Sequence, residues 1–244
     1  WASVNKTRLL GLFVSLALIL GLLPGLVAAQ PAATTAGTTS LTITKYDVDG
    51  VTVLQQETLT YQQMESLLPV QGDGVTQYYF QGPTFQPDNL WDPDETLNLK
   101  NKGAVKGTDV KDLVERVGGA EAGDLIQIEA NDGYGDRFPY ANVYNPSADQ
   151  GKMVIAWYTK NAGEGTPLYP DGAYVPTFAD GMQLIFMAET TNAAGQHVFG
   201  HEDMRTSLPE DNWHYYYDDS IEYPSANGVS LKYISEINVF KQAT

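Results

Sequence analysis

The sequence holds no cysteine. That excludes disulfides, thiolate metal ligands and cysteine nucleophiles at once. Cations are scarce: 14 Lys and Arg stand against 30 Asp and Glu, for a formal net charge of −16. A chain this acidic repels phosphate backbones and anionic lipid surfaces, which excludes nucleic acid as an electrostatic partner. Histidine is scarcer still, and all three, His197, His201 and His214, fall in one stretch. The Gly-x-Ser-x-Gly nucleophile turn, the phosphate-binding P-loop and the Gly-x-Gly-x-x-Gly fingerprint do not occur. Long apolar runs are missing too. The apolar stretch Leu9–Leu23 stops at Pro24-Gly25 after about fifteen residues, short of the roughly 20 that span a bilayer.

What is present begins with the pattern of an export signal. Lys6 and Arg8 precede that apolar stretch, and Val27-Ala28-Ala29 is a small-residue cleavage site. Residues 1–29 are therefore expected to be a signal peptide and residues 30–40, QPAATTAGTTS, a flexible polar linker. Residues 41–244 then form a single domain, secreted or held at the cell surface, with no membrane span after cleavage. The glycosylation pattern Asn5-Lys6-Thr7 falls inside the removed segment.

The clearest fold statement lies between Ala104 and Tyr134. Thr108 is the natural N-cap of a helix, with Asp109 adding charge at its positive end. Val110, Leu113, Val114 and Val117 make one apolar stripe, and Gly118-Gly119 stops it. Leu125–Glu129 alternates as a half-buried strand, and Asn131-Asp132-Gly133 turns the chain. Elsewhere, Leu41–Tyr46 and Val51–Leu54 flank an Asp-Gly turn, which predicts a hairpin. Thr60 and Gln63 fit a capping box for a helix with Met64, Leu67 and Leu68 on one face, stopped at Pro69. Tyr78–Gln81, Arg137–Tyr140, Met153–Thr159, Met182–Met187 and Leu231–Phe240 read as strands, and Ala141–Asn145 as a short turn or helix. Gly82–Lys102, Asn161–Phe178 and Glu189–Gly228 read as loop or irregular chain. Strands and helices mix without regular alternation, so the expected class is α+β with a mixed sheet.

Three constellations carry chemistry. His197, His201, Glu202 and Asp203 are metal-ligand types close in sequence; His197 and His201 share a face only on a helix, which Gly195 and Gly200 oppose. They define the candidate site of an exported divalent-metal binder. Asp47-Val48-Asp49-Gly50 and Asp92-Pro93-Asp94-Glu95 offer calcium-type oxygens without the full calcium-loop pattern, and read as a hairpin turn and a solvated loop. His214 to Asp219, with Trp91, Trp157 and Trp213, is aromatic and acidic enough to line a ligand cleft.

Four pieces resemble, in order, the molybdopterin-binding domain of the sulfite-oxidase superfamily. They are Lys106–Gly119 (its helix), Asn131-Asp132-Gly133-Tyr134 (its Asp-Gly-Tyr turn), Asp180–Leu184 (its strand entry) and Leu231–Ile237 (its closing strand). The resemblance spans roughly Leu41 to Phe240. It implies that family's α+β fold and a molybdopterin cofactor. The family's metal-ligating cysteine would fall near Tyr79–Phe85, which here reads YFQGPTF, and its strand-entry Arg is Gln183. Fixed cations suit an anionic pterin phosphate, and Gln183 is not one. The expectation is therefore an exported or surface-associated binding module with no cofactor, more binder than enzyme. The alternative is a molybdopterin oxidoreductase or its electron-transfer partner. In the resembled fold the Asp-Gly-Tyr turn borders the pocket. Asp132, Tyr134, His201, Trp213, His214 and Tyr216 are thus expected to bind a neutral or cationic small molecule or a cell-surface component.

Overall fold

The computed structural model describes residues 37–160, 169–178 and 180–243. The expected signal peptide, most of the linker, and part of the loop between Asn161 and Phe178 lie outside them. The described end of the linker is tied down: Thr38 Oγ1 accepts from the Met182 amide at 2.9 Å, and the Thr39 carbonyl accepts from the Tyr61 amide at 3.0 Å.

In chain order the elements are β1 (Ser40–Tyr46), β2 (Val53–Thr60), α1 (Tyr61–Leu67), β3 (Val70–Gln71), β4 (Gln77–Gln81), β5 (Leu99–Ala104), β6 (Lys106–Asp109) and α2 (Val110–Glu115). They continue with β7 (Leu125–Ala130), β8 (Gly135–Pro139), α3 (Tyr140–Tyr144), β9 (Lys152–Thr159), β10 (Ala173–Tyr174) and β11 (Gln183–Met187). The last are β12 (His197–Phe199), α4 (His201–Ser207), β13 (Tyr215–Asp218), β14 (Ile221–Pro224) and β15 (Ile234–Phe240). The chain is α+β. Among the described residues one sheet runs β2-β1-β15-β7-β8, with β1 and β15 parallel and the rest antiparallel. A second runs β10-β9-β6-β3, with β11 also on β9; a third runs β12-β4-β5; β13 and β14 pair alone. No helix of the described residues is long and apolar enough to cross a membrane.

The core forms where the sheet faces meet α2. Val110, Leu113, Val114 and Val117 are all fully buried, and α2 packs on β9 and β6. Burying one such aliphatic side chain is worth about 2 kcal/mol. The helix starts one residue later than the sequence suggests. Thr108 ends inside β6, where its hydroxyl accepts from Trp157 Nε1 at 3.1 Å, so Asp109 becomes the N-cap and accepts from the Lys111 amide at 2.9 Å. Gly118 and Gly119 close the helix at φ +83° and +68°, a conformation that leaves the Gly119 amide on the Val114 carbonyl. Phe186 centres the aromatic core, its ring 4.7 Å from Phe199, 5.9 Å from Phe80 and 6.0 Å from Phe138.

The β1–β2 hairpin, the Thr60–Gln63 capping box and the Asn131 turn form as read. Other readings change. Within the expected Asn161–Phe178 loop, Ala173–Tyr174 pairs with β9 as β10. Leu67 is exposed, because α1 ends there and Met64 alone of that face is fully buried. The last residues of the expected Gly82–Lys102 loop are strand: Leu99–Ala104 pairs with β4 as β5, and its polar side chains suit the edge of the sheet. The segment from Glu189 to Gly228 holds β12, α4, β13 and β14, elements too short to show a period in the sequence. Trp157 belongs to the core rather than to a cleft, fully buried and stacked on Tyr174 at 5.7 Å.

Candidate functional site

The β7–β8 turn presents its residues outward. Asp132 Oδ1 accepts from the Tyr134 amide at 3.0 Å, and Gly133 takes φ +86° to complete the turn. Tyr134 is then 55% exposed, and Asp136 follows two residues on, inside β8. Across from them His214 leads into β13. Its Nε2 lies 2.8 Å from Asp136 Oδ2 and its Nδ1 lies 3.5 Å from the Tyr134 hydroxyl. A carboxylate, an imidazole and a phenol thus stand in line. His214 and Asp136 are both largely withdrawn from water. Burial first, then the Asp136 carboxylate, raise the Tyr134 phenol above its usual 10.0. That phenol is held neutral, as a hydrogen-bonding group and not a nucleophile.

Aromatic rings extend from this line in two directions. On β13, Tyr216 meets Phe85 edge-on at 5.4 Å, and Phe85 lies 5.5 Å from Tyr223. Phe85 and Tyr216 are about half exposed. On the other side Trp91 gathers Trp213 at 5.7 Å, Tyr215 at 6.4 Å and His201 at 6.5 Å. Trp213 is anchored by its indole N–H donating to the Leu208 carbonyl at 3.1 Å. Beside Asp136 opens a cleft of about 410 Å³, lined by Arg137, Pro139, Pro209, Asp211 and Asn212 among others.

The structure brings Tyr134 and His214 into contact and joins Trp213 to His201 through Trp91. His201, however, is fully buried and opens α4. Neither of its ring nitrogens has a partner in hydrogen-bond geometry among the described residues. Burial pulls its pKa down to about 4, against the weaker pull of the Asp92 carboxylate and of the nearby Leu90, Gly82 and Trp91 backbone. It is a packed ring under Trp91 and offers nothing to a surface ligand.

The metal candidates are not brought to one point. His197 lies on β12, its Nδ1 2.8 Å from the Ala188 carbonyl; Glu202 holds Arg205 at 2.6 Å; Asp203 accepts from the Gly200 amide at 3.2 Å. Among the described residues no group of three His, Asp or Glu has the geometry to hold a metal ion. Asp92 is not solvated either. It is 3% exposed, and its Oδ2 accepts from Gln81 Nε2 and from the Thr96 and Leu97 amides, which folds the loop around it.

Two site residues escape a reading of the sequence. Asp136 is legible in principle, by its two-residue spacing from Tyr134 in the Asp-Gly-Tyr-Gly-Asp run. Phe85, with φ +54° in a proline-glycine loop, gives no signal. Neither a family model nor a curated protein matches this chain.

Proposed function

We propose that the chain is an exported, surface-associated binding module that holds a neutral or cationic ligand on the Tyr134–His214 face. The observation that carries this reading is the Asp136–His214–Tyr134 line, which joins two segments about 80 residues apart at the rim of a cleft. Exposed rings of Phe85, Tyr134 and Tyr216 supply apolar faces. Asp132, Asp136 and Asp211 supply negative charge, which suits organic cations and polyols and disfavours oxyanions there. Export rests on the pattern of residues 1–29.

The scaffold is proposed to be a divergent sulfite-oxidase-type molybdopterin domain that works without the cofactor. The donor set speaks for this. Gln81, in the stretch where the family places its thiolate, donates to Asp92 at 2.7 Å and accepts from the His201 amide at 3.0 Å. Gln183, at the place of the family's Arg, is buried and donates to Ser230 Oγ at 3.0 Å. Those side chains are occupied with their own partners and supply neither a thiolate nor a cation for a pterin phosphate.

Titration with tetramethylammonium chloride and with cello-oligosaccharides, read by tryptophan fluorescence, tests the site. Trp91 and Trp213 flank it, so saturable quenching by one of these probes is expected, and His214→Ala with Tyr134→Ala should abolish it. Quenching that persists in that double variant, or none with either probe, overturns the site. Near-stoichiometric molybdenum in natively purified protein overturns the cofactor-free reading.

A further inference from the structure

Arginine is rare in this chain, and where it occurs among the described residues it holds an acid. Arg116 reaches Glu57 at 2.7 Å and Arg205 reaches Glu202 at 2.6 Å. Arg137 departs from that pattern. Among the described residues its guanidinium has no carboxylate partner and donates no hydrogen bond. It lies instead over the Phe240 ring, 4.8 Å from the centroid, and Phe240 stacks on Tyr46 at 5.1 Å with 9° between the planes. The strand register explains the stack. Tyr46 pairs with Phe240 and Phe240 with Leu125, while Arg137 pairs with Gln127, two residues on from Leu125, so these side chains share one sheet face. The alternate residues Ile126, Phe138 and Val239 are fully buried, which makes the Arg137 side the solvent face. Arg137 thus reaches from the edge strand β8 across β7 to the last ring of β15.

A cleft of about 430 Å³ opens beside this stack, between the β1–β2 turn and the chain after β15. Val48, Leu125 and Phe240 give it apolar walls, and Arg137 and Lys241 bring two cations. The Lys241 ammonium has no carboxylate or hydrogen-bond partner among the described residues either. The chain that carries it is tied down, since the Gln242 amide donates to Asp124 Oδ1 at 3.1 Å. Among the lining residues the acid is Asp49, and its oxygens are taken. Oδ1 accepts from the Val51 and Thr52 amides at 3.0 and 2.8 Å, and Oδ2 from the Thr52 hydroxyl at 2.6 Å.

A guanidinium stacked on a ring keeps its N–H donors free in its own plane, where a carboxylate can accept from two of them at once. The stack also fixes the side chain beforehand, so a ligand is spared much of the cost of ordering it. We propose that this cleft binds a small organic carboxylate with a compact apolar body. The carboxylate accepts from the Arg137 fork, Lys241 supplies a second positive charge, and the body rests against Val48 and Leu125. Arg137 takes no part in the Asp136–His214–Tyr134 line, where Asp136 is turned to His214. The ligands of the two sites differ in charge, so the two proposals stand or fall separately.

Titration of the full chain with sodium benzoate, at an ionic strength fixed with sodium chloride and followed by proton–nitrogen NMR, tests this. Saturable shifts are expected at the Arg137 side-chain Nε–H and at the Gly50, Lys241 and Gln242 amides. Benzamide has the same body without the charge and should bind roughly tenfold more weakly or worse. Acetate has the charge without the body and should also bind more weakly than benzoate. Arg137→Gln changes an exposed side chain, so it should fold as the parent chain does and bind benzoate roughly tenfold more weakly or worse. Shifts that never saturate, benzamide or acetate binding as tightly as benzoate, or benzoate binding unchanged in Arg137→Gln overturns the proposal.

Discussion

Replacing Glu95 by glutamine should stabilise this protein above neutral pH and leave it unchanged in acid. The Glu95 carboxyl rests against the backbone of Gly200, where any Cβ would overlap it, and its Oε1 accepts from the Asp203 amide at 3.2 Å. Asp203 in turn accepts from the Gly200 amide at the start of α4. Two carboxyl groups thus share one helix end, with Asp149, Glu202 and Asp94 around the same cleft of about 330 Å³. Burial first, then Asp203, raise Glu95 from 4.5 to about 8. The folded state binds this proton more tightly than the unfolded chain does. Its stabilisation is therefore fully present below about pH 4.5 and lost as the pH rises through 8. At about 1.4 kcal/mol per pH unit the shift sets a ceiling of about 5 kcal/mol. Partial solvent contact and sharing of the proton with Asp203 reduce that to about 2 kcal/mol.

In Glu95→Gln the side-chain amide imitates the protonated acid and keeps the acceptor for Asp203. Melting curves of both chains at pH 4 and pH 8.5 give the answer. A gain of about 2 kcal/mol, or several degrees for a domain of this size, is expected at the higher pH and none at the lower. Equal melting temperatures at pH 8.5, or a variant weaker at every pH, would refute the shared-proton account of this helix end.

Leu113→Asp places an unpaired carboxylate on the fully buried stripe of α2 and should unfold the domain, at a cost of several kcal/mol; a far-ultraviolet melt within a few degrees of the parent chain would show that α2 does not carry the core. His201 acts in the opposite sense to Glu95. Its pKa falls from 6.5 to about 4 on folding, so its contribution is present above pH 6.5 and is lost as the pH falls through 4. His201→Phe keeps a ring under Trp91 and should flatten the acid limb of the stability profile between those values; an unchanged limb counts against the buried neutral imidazole.

The parts of this fold that can be read from the sequence are those whose cause is local. The stripe of α2 repeats within two turns, the Thr60–Gln63 box spans three residues, and the Asn131 turn needs only its own side chains and a glycine. Each is complete within a window that a periodicity or a capping rule covers. The resemblance and the length of the Glu189–Gly228 segment point to a site near the Asn131–Tyr134 turn and the His197–His214 region; in the structure the Tyr134 hydroxyl and His214 Nδ1 lie 3.5 Å apart. The titration range of His201 argues for the same site, yet burial removes it, because sequence distance to Glu202 says nothing about which way a ring points.

What cannot be read depends on partners brought from far along the chain. Glu95 and Asp203 are 108 residues apart, and only the fold of the Asp92 loop onto α4 turns two ordinary acids into a pair that competes for one proton. Lys102 reads as part of a polar loop until β4 lays the Phe80 ring beside it. The acid pair is therefore set by which elements meet: the Asp92 loop leaves β4 at Gln81, whose side chain holds Asp92, and that loop carries Glu95 onto the start of α4.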